Sequence, residues 1–148
     1  MTQVSQASSI VPRAELFAHD ADTGVRGIGP TRESAFEQAA MALTMAVTDP
    51  ADIVPKDAVE VTCEAPDDGI LLVDWLNALI YEMSARHLVF SRFAVTIAGH
   101  RLRGQAWGES IDRARHSPAS EPKGATFTEL KAAMRADGSW VAQCVVDV

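Results

Sequence analysis

Val59-Glu60-Val61-Thr62-Cys63-Glu64 is followed, across Pro66-Asp67-Asp68-Gly69, by Ile70-Leu71-Leu72-Val73-Asp74-Trp75-Leu76-Asn77-Ala78-Leu79-Ile80 and on to Arg86. In the first stretch Val59, Val61 and Cys63 alternate with polar neighbours, the pattern of a strand buried on one face. In the second, Leu72, Trp75, Leu76, Leu79, Ile80 and Met83 recur at helical spacing, with Arg86 near the negative end of the dipole. Pro66 to Gly69 is the break between them. The switch of period over so short a distance marks a chain that mixes strands and helices.

Upstream, Gly29-Pro30 stops one element and Thr31 can cap the next, with Glu33 near its positive end. Phe36, Ala39, Ala40, Leu43 and Val47 form the buried stripe of that helix, which Asp49-Pro50 ends. Before it, Leu16 and Phe17 lead through the polar turn His19-Asp20-Ala21-Asp22-Thr23-Gly24 into a short strand at Val25 to Ile28. Downstream, Leu88 to Ile97 and Leu102 to Trp107 read as a hairpin about Gly99-His100. Gly108 to Glu121 reads as a long polar loop. Thr126 to Met134 and Trp140 to Val146 read as two strands joined at Asp137-Gly138, a strong hairpin signal.

The expected fold is therefore α+β: a single domain over residues 14–148, with a mixed, mostly antiparallel sheet of about seven strands and two helices packed on one face. Residues 1–13, rich in Ser, Thr and Gln at the outset, read as a disordered tail. A chain of 148 residues with 47% hydrophobic content encloses one core, and two domains would be a squeeze. The net charge of −7 argues against a general nucleic-acid coat. Charge is unevenly divided, with eleven acids and one base from Glu33 to Glu82, but nine bases and four acids from Arg86 to Arg135. That asymmetry predicts a bipolar surface. No apolar run approaches the roughly 20 residues that span a bilayer, and no secretory leader is apparent, so a cytoplasmic location is expected. Cys63 and Cys144, in alternating apolar stretches and without a Cys-x-x-Cys partner, read as core thiols.

Two groups of residues could carry chemistry. His19, Asp20 and Asp22 lie in the early polar turn, and Asp147 with the carboxylate of Val148 lies at the other end. If the first and last strands are neighbours, Asp22, Asp147 and Val148 could converge on a hard cation, which takes oxygen ligands. The competing account makes Asp22 a turn residue and Asp147 a solvated end. His19 reads either as a base or ligand or, more often for a lone His at a strand end, as a hydrogen-bonded structural residue. Glu109, Asp112, Arg113, Arg115, His116 and Lys123 concentrate acids, bases and phosphate-binding types in one region, serving either phosphoryl chemistry or partner contact, or simply a solvated loop. No Walker loop, dinucleotide fingerprint or nucleophile elbow is present.

His19-Asp20-Ala21-Asp22-Thr23-Gly24 followed by Val25-Arg26-Gly27-Ile28-Gly29 resembles the opening His-x-Ala-Asp-x-Gly-(Ile/Val) signature of the archease family. Leu71 to Asn77 resembles its central helix, and Leu88-Val89-Phe90 the strand after it. Gly108-Glu109 with Asp112 and Arg115-His116 resembles its polar loop. Pro122-Lys123-Gly124-Ala125-Thr126 and the stretch from Trp140 to Asp147-Val148 complete the likeness. Two departures stand out: Thr128 where many members carry His, and Asp20 in place of the more usual Thr.

The resemblance implies a protein that is not itself an enzyme but activates an RtcB-type RNA ligase in tRNA splicing or RNA repair, promoting guanylylation and multiple turnover. Carried over by position, it implies Asp22, Asp147 and Val148 as ligands of Ca²⁺, Mg²⁺ or Mn²⁺. It leaves His19, Glu109, Arg115, His116 and Lys123 as accessory or partner-binding residues, with RNA reached through the ligase. Rival expectations are an independent metal-dependent phosphohydrolase, with His116 or Glu109 handling protons, and a chaperone-like partner of RNA-modifying enzymes.

Overall fold

The computed structural model describes residues 9–148, so most of the expected tail lies outside the described residues. Arg13, assigned to that tail by sequence, opens the first strand. The elements are β1 (Arg13–His19), β2 (Asp22–Gly29), α1 (Arg32–Val47), β3 (Asp57–Glu64), α2 (Asp68–Arg86), β4 (Leu88–Ala98), β5 (Arg101–Ser110), α3 (Arg113–His116), β6 (Gly124–Ala125), β7 (Lys131–Met134) and β8 (Trp140–Asp147).

The helix boundaries follow from their caps. Thr31 has an extended backbone and its hydroxyl accepts from the Ser34 N–H at 3.0 Å. The Asp67 carboxylate does the same for the Ile70 N–H at 2.9 Å, which starts α2 two residues before the expected Ile70. His87 ends α2 in the left-handed region, with φ of 55°.

The fold is α+β, and the described residues form eight strands rather than about seven, all paired antiparallel. They divide between two sheets: β1-β2-β8-β6, with β7 also on β8, and β3-β5-β4. α1 and α2 each touch both sheets. α1 lies so close to β2 that a Cβ on Gly27 would collide with the Ala35 carbonyl oxygen, and only glycine permits that approach. From its other side α1 serves β4, which among the described residues has a strand partner on one edge only. The Thr44 hydroxyl donates to the Phe90 carbonyl at 2.7 Å and the Glu37 carboxylate accepts from the Val95 N–H at 2.9 Å. Those bonds satisfy edge groups that would otherwise invite another strand.

The core between the sheets is built on Phe36, Leu43, Leu72, Trp75, Leu76, Leu79, Val25 and Leu102, all essentially inaccessible. Trp75 keeps its indole N–H paired, donating to the Phe36 carbonyl at 3.1 Å. Cys63 and Cys144 are free thiols, and burial pushes both up to about 11, as expected of inert packing residues.

Two sequence expectations are corrected. Gly108 to Glu121 is not one loop: β5 continues to Ser110 because Val89 and Leu88 supply partners for Glu109 and Ser110, and Arg113–His116 forms a helical turn. Thr126 to Met134 is not one strand. Glu129 adopts a left-handed backbone, with φ of 55°, and the chain bulges between β6 and β7. Both flanking pieces still pair with β8. The Asp137-Gly138 hairpin turn is as read, with Gly138 at φ of 89° and the Asp137 carboxylate accepting from the Ser139 N–H at 2.9 Å.

Candidate metal centre

The β2–β8 ladder decides the site, because it brings two stretches far apart in sequence side by side. Its last pair is Thr23 with Val146. Extending that antiparallel register by one residue sets Asp22 opposite Asp147, and residues directly opposite project from the same face. The Val148 N–H donates to Asp22 Oδ1 at 3.4 Å, which ties the final residue to the early turn.

Neighbouring elements hold this edge. On one side β1 pairs His19 with Asp22. On the other, β6 pairs Gly124 with Asp147, and the Lys123 N–H donates to the Asp147 carbonyl at 2.8 Å. Thus the main chain of Lys123, rather than its ammonium, is what the structure brings to the site. Asn77 anchors β6 from α2: its side-chain oxygen accepts from the Ala125 N–H at 2.8 Å and its amide donates to the Ala125 carbonyl at 3.4 Å. Sequence reading passed over Asn77. The available signal was a polar residue set between Leu76 and Leu79 on an apolar helix, but its partner lies 48 residues away.

Electrostatically the edge is negative and uncompensated. Asp147 is exposed and Asp22 half-buried. Neither forms an ion pair among the described residues. Arg26, on the same face of β2, is committed elsewhere: it bonds Gln143 at 2.8 Å and Glu15 at 3.3 Å and stacks over Phe17. Asp20 points outward, 92% exposed, with its carboxylate 3.9 Å from His19 Nδ1. Among the described residues no three His, Cys, Asp or Glu side chains gather as a ligand set. The donors on offer are two aspartates with oxygens of the Val148 main chain. An all-oxygen donor set of high negative charge fits a hard divalent ion and disfavours a soft one.

Glu109, Arg115 and His116 come together elsewhere, at the end of the three-stranded sheet. Glu109 Oε2 accepts from the Val54 N–H at 2.8 Å, from Arg115 at 2.8 Å and from His116 Nε2 at 3.0 Å. The ring's other nitrogen, Nδ1, accepts from the Asp112 N–H at 2.8 Å, so the proton sits on Nε2. Arg115 also donates to the Asp52 carbonyl at 2.7 Å, and Thr48 donates to the His116 carbonyl. The Val54 N–H above all, with Arg115 and His116, holds the buried Glu109 carboxyl down at about 2. Every polar atom of the His116 ring is spent, and its side chain is fully buried. The cluster clamps α3 against the Asp49–Val54 segment and offers no free proton carrier.

Residues 15–148 match the model of the archease protein family (MTH1598/TM1083). The protein archease of Pyrococcus furiosus is 37% identical over 138 residues, spanning 90% of this chain and 97% of its own length. The protein archease of Methanosarcina barkeri is 35% identical over 139 residues, spanning 90% of this chain and 94% of its own. The solution structure of Methanobacterium thermoautotrophicum protein 1598 superposes with a TM-score of 0.74 at 30% identity, covering 91% of this chain and 98% of that one.

Proposed function

The chain belongs to the archease family, and from that premise we propose that it is a non-enzymatic activator of an RtcB-type RNA ligase, acting in the cytoplasm in tRNA splicing or RNA repair. It promotes loading of GMP onto the ligase and supports repeated turnover, using Asp22, Asp147 and Val148 to hold Ca²⁺, Mg²⁺ or Mn²⁺.

The observation that carries this reading is the β2–β8 register, which continued one residue past Thr23 and Val146 sets Asp22 opposite Asp147, together with the hydrogen bond from the Val148 N–H to Asp22. Two carboxylates without ion-pair partners among the described residues, set on neighbouring strands, leave their oxygens available to a hard cation. A bound divalent ion supplies positive charge against phosphate oxygens during nucleotidyl transfer. The chain's own contribution is positioning. β1 and β6 fix the edge, Asn77 fixes β6, and the donors are aligned before any partner arrives.

Among the described residues no helix is long and apolar enough to cross a membrane. The phosphohydrolase alternative needs an available proton carrier, and Glu109 and His116 are both engaged internally. The test is to mix the protein with purified ligase, GTP and divalent ion and to follow GMP attachment to the ligase. Wild type accelerates loading, and Asp22→Ala and Asp147→Ala remove the acceleration while remaining folded. Loading that wild type leaves unchanged would end the proposal, and acceleration that survives both substitutions points instead to a chaperone-like role.

A further inference from the structure

The three-stranded sheet presents one face to the helices, and among the described residues no element covers the other. Along β5, Leu102, Gly104 and Ala106 are buried while Arg101, Arg103 and Gln105 are exposed. The strand register sets the outward side chains in rows across the sheet, Ala58 with Trp107 and Arg92, then Glu60 with Gln105 and Ala94, then Thr62 with Arg103 and Thr96, then Glu64 with Arg101 and Ala98.

Arg92 reaches this face only through a bulge. Phe90 pairs with Gly108 and Arg92 with Trp107, so Ser91 is the extra residue, and its hydroxyl is used on the Ile53 carbonyl at 3.0 Å. Without the extra residue Arg92 would take the opposite side of the sheet, because each one-residue slip reverses the facing. Phe90 and Phe93 both pack inward across the bulge, 6.3 Å between ring centroids. Position 108 is glycine because a Cβ there would overlap the Val89 carbonyl. The consequence is a guanidinium laid over the indole of Trp107, 4.7 Å from its centroid, at the surface.

We propose that this outer face is a binding surface for single-stranded nucleic acid, with the Arg92–Trp107 stack receiving a base and Arg103 and Arg101 receiving phosphates. The charge supports that occupant. In a chain of net charge −7, three arginines gather on two neighbouring strands of one open face, while its acids, Glu60 and Glu64, stand on β3 at the far edge. Arg103 has no anionic partner among the described residues, and Arg101 meets Glu64 only at 3.6 Å with both side chains more than two-thirds exposed. Trp107 to Arg101 spans about 20 Å along β5, room for a short run of nucleotides laid along the strand. The small outward residues Ala94, Ala98 and Thr96 leave the β4 side low enough for bases to lie flat, and a flat face of stacking and cationic groups takes unpaired bases rather than a duplex. This site lies on the other sheet from Asp22 and Asp147, and the inference goes beyond the ligase reading.

The experiment follows fluorescence anisotropy of a labelled ten-nucleotide single-stranded RNA titrated with the full chain, without ligase or divalent ion. Saturable binding is expected at low salt, weakening as salt rises. Trp107→Ala and Arg92→Ala should each weaken it by about fivefold or more. Arg103→Glu should reduce it further, and a labelled RNA duplex of the same length should bind more weakly. All three positions are at the surface, and circular dichroism verifies that each variant folds. Absence of saturable binding overturns the inference. So does binding indifferent to Trp107→Ala and Arg103→Glu, binding lost instead in Arg135→Ala, or equal competition by polyglutamate, which would make the face a general polyanion surface. Because no ligase is present, failure here leaves the activator reading standing, and failure of GMP loading leaves this one standing.

Discussion

Two clusters of charge, the open edge where β2 meets β8 and the clamp beneath α3, use the same kinds of side chain to opposite ends. In the clamp, Glu109 is buried and receives three hydrogen bonds, one from a backbone N–H, one from Arg115 and one from His116. At the edge, Asp22 and Asp147 lie on adjacent strands with no cation in an ion pair among the described residues. Charge that is matched within the fold is costly to break apart and is unavailable for other work. Charge left unmatched on a strand ladder is free to hold a ligand.

The largest expected effect separates these roles outright. The double substitution Asp22→Ala with Asp147→Ala removes stimulation of GMP loading, while thermal unfolding without added metal stays close to wild type, because neither carboxylate forms an ion pair among the described residues and only the long Val148 N–H bond to Asp22 is lost. A fall in melting temperature would show that the edge is structural after all.

His116→Ala does the reverse. It strips Glu109 of one donor and leaves the Asp112 N–H without its acceptor, which costs about 1–3 kcal/mol and lowers the melting temperature by roughly 2–10 °C. GMP loading by the folded fraction stays intact. Loss of loading without loss of stability would move His116 into the functional machinery.

Acid sharpens the contrast further. The Glu109 carboxyl is held at about 2, below its ordinary value near 4.5, so the folded state binds its proton less readily than the unfolded state. Its stabilising contribution is complete above pH 4.5 and is lost as pH falls from there toward 2. Urea titrations across that window should show declining stability in wild type and a shallower decline in Glu109→Gln. The smallest effect belongs to Asp112, whose carboxylate caps α3 by accepting from the Ala114 and Arg115 N–H groups. Asp112→Ala should cost about 1 kcal/mol in the same titration.

Local chemistry was readable from sequence where a single residue decides it. Thr31 announces α1, the alternation at Val59, Val61 and Cys63 announces β3, and Asp137-Gly138 announces the last hairpin. The extension of β5 past Gly108 was not readable, because glycine ordinarily weakens a strand and here it is demanded by the Val89 carbonyl beside it. The bulge at Ser91 went unread, although Phe90 and Phe93, three positions apart across Ser91-Arg92, cannot both face inward on an unbroken strand. The residues of the candidate centre were raised by residue type and carried over by resemblance, but their adjacency depends on β2 lying next to β8, and Asp22 and Val148 are separated by 126 positions. No local pattern encodes that neighbour. The same holds for Glu109 and His116, which read as a polar loop and fold into a sealed clamp.

The most direct test of the central claim is titration of the metal-free protein with Mn²⁺, followed by electron paramagnetic resonance of the free ion and repeated for Asp22→Ala and Asp147→Ala. One ion bound per chain, displaced by Ca²⁺ or Mg²⁺ and lost in both variants, is the predicted result. Wild type that leaves the Mn²⁺ signal undiminished, or variants that bind as wild type does, would contradict it.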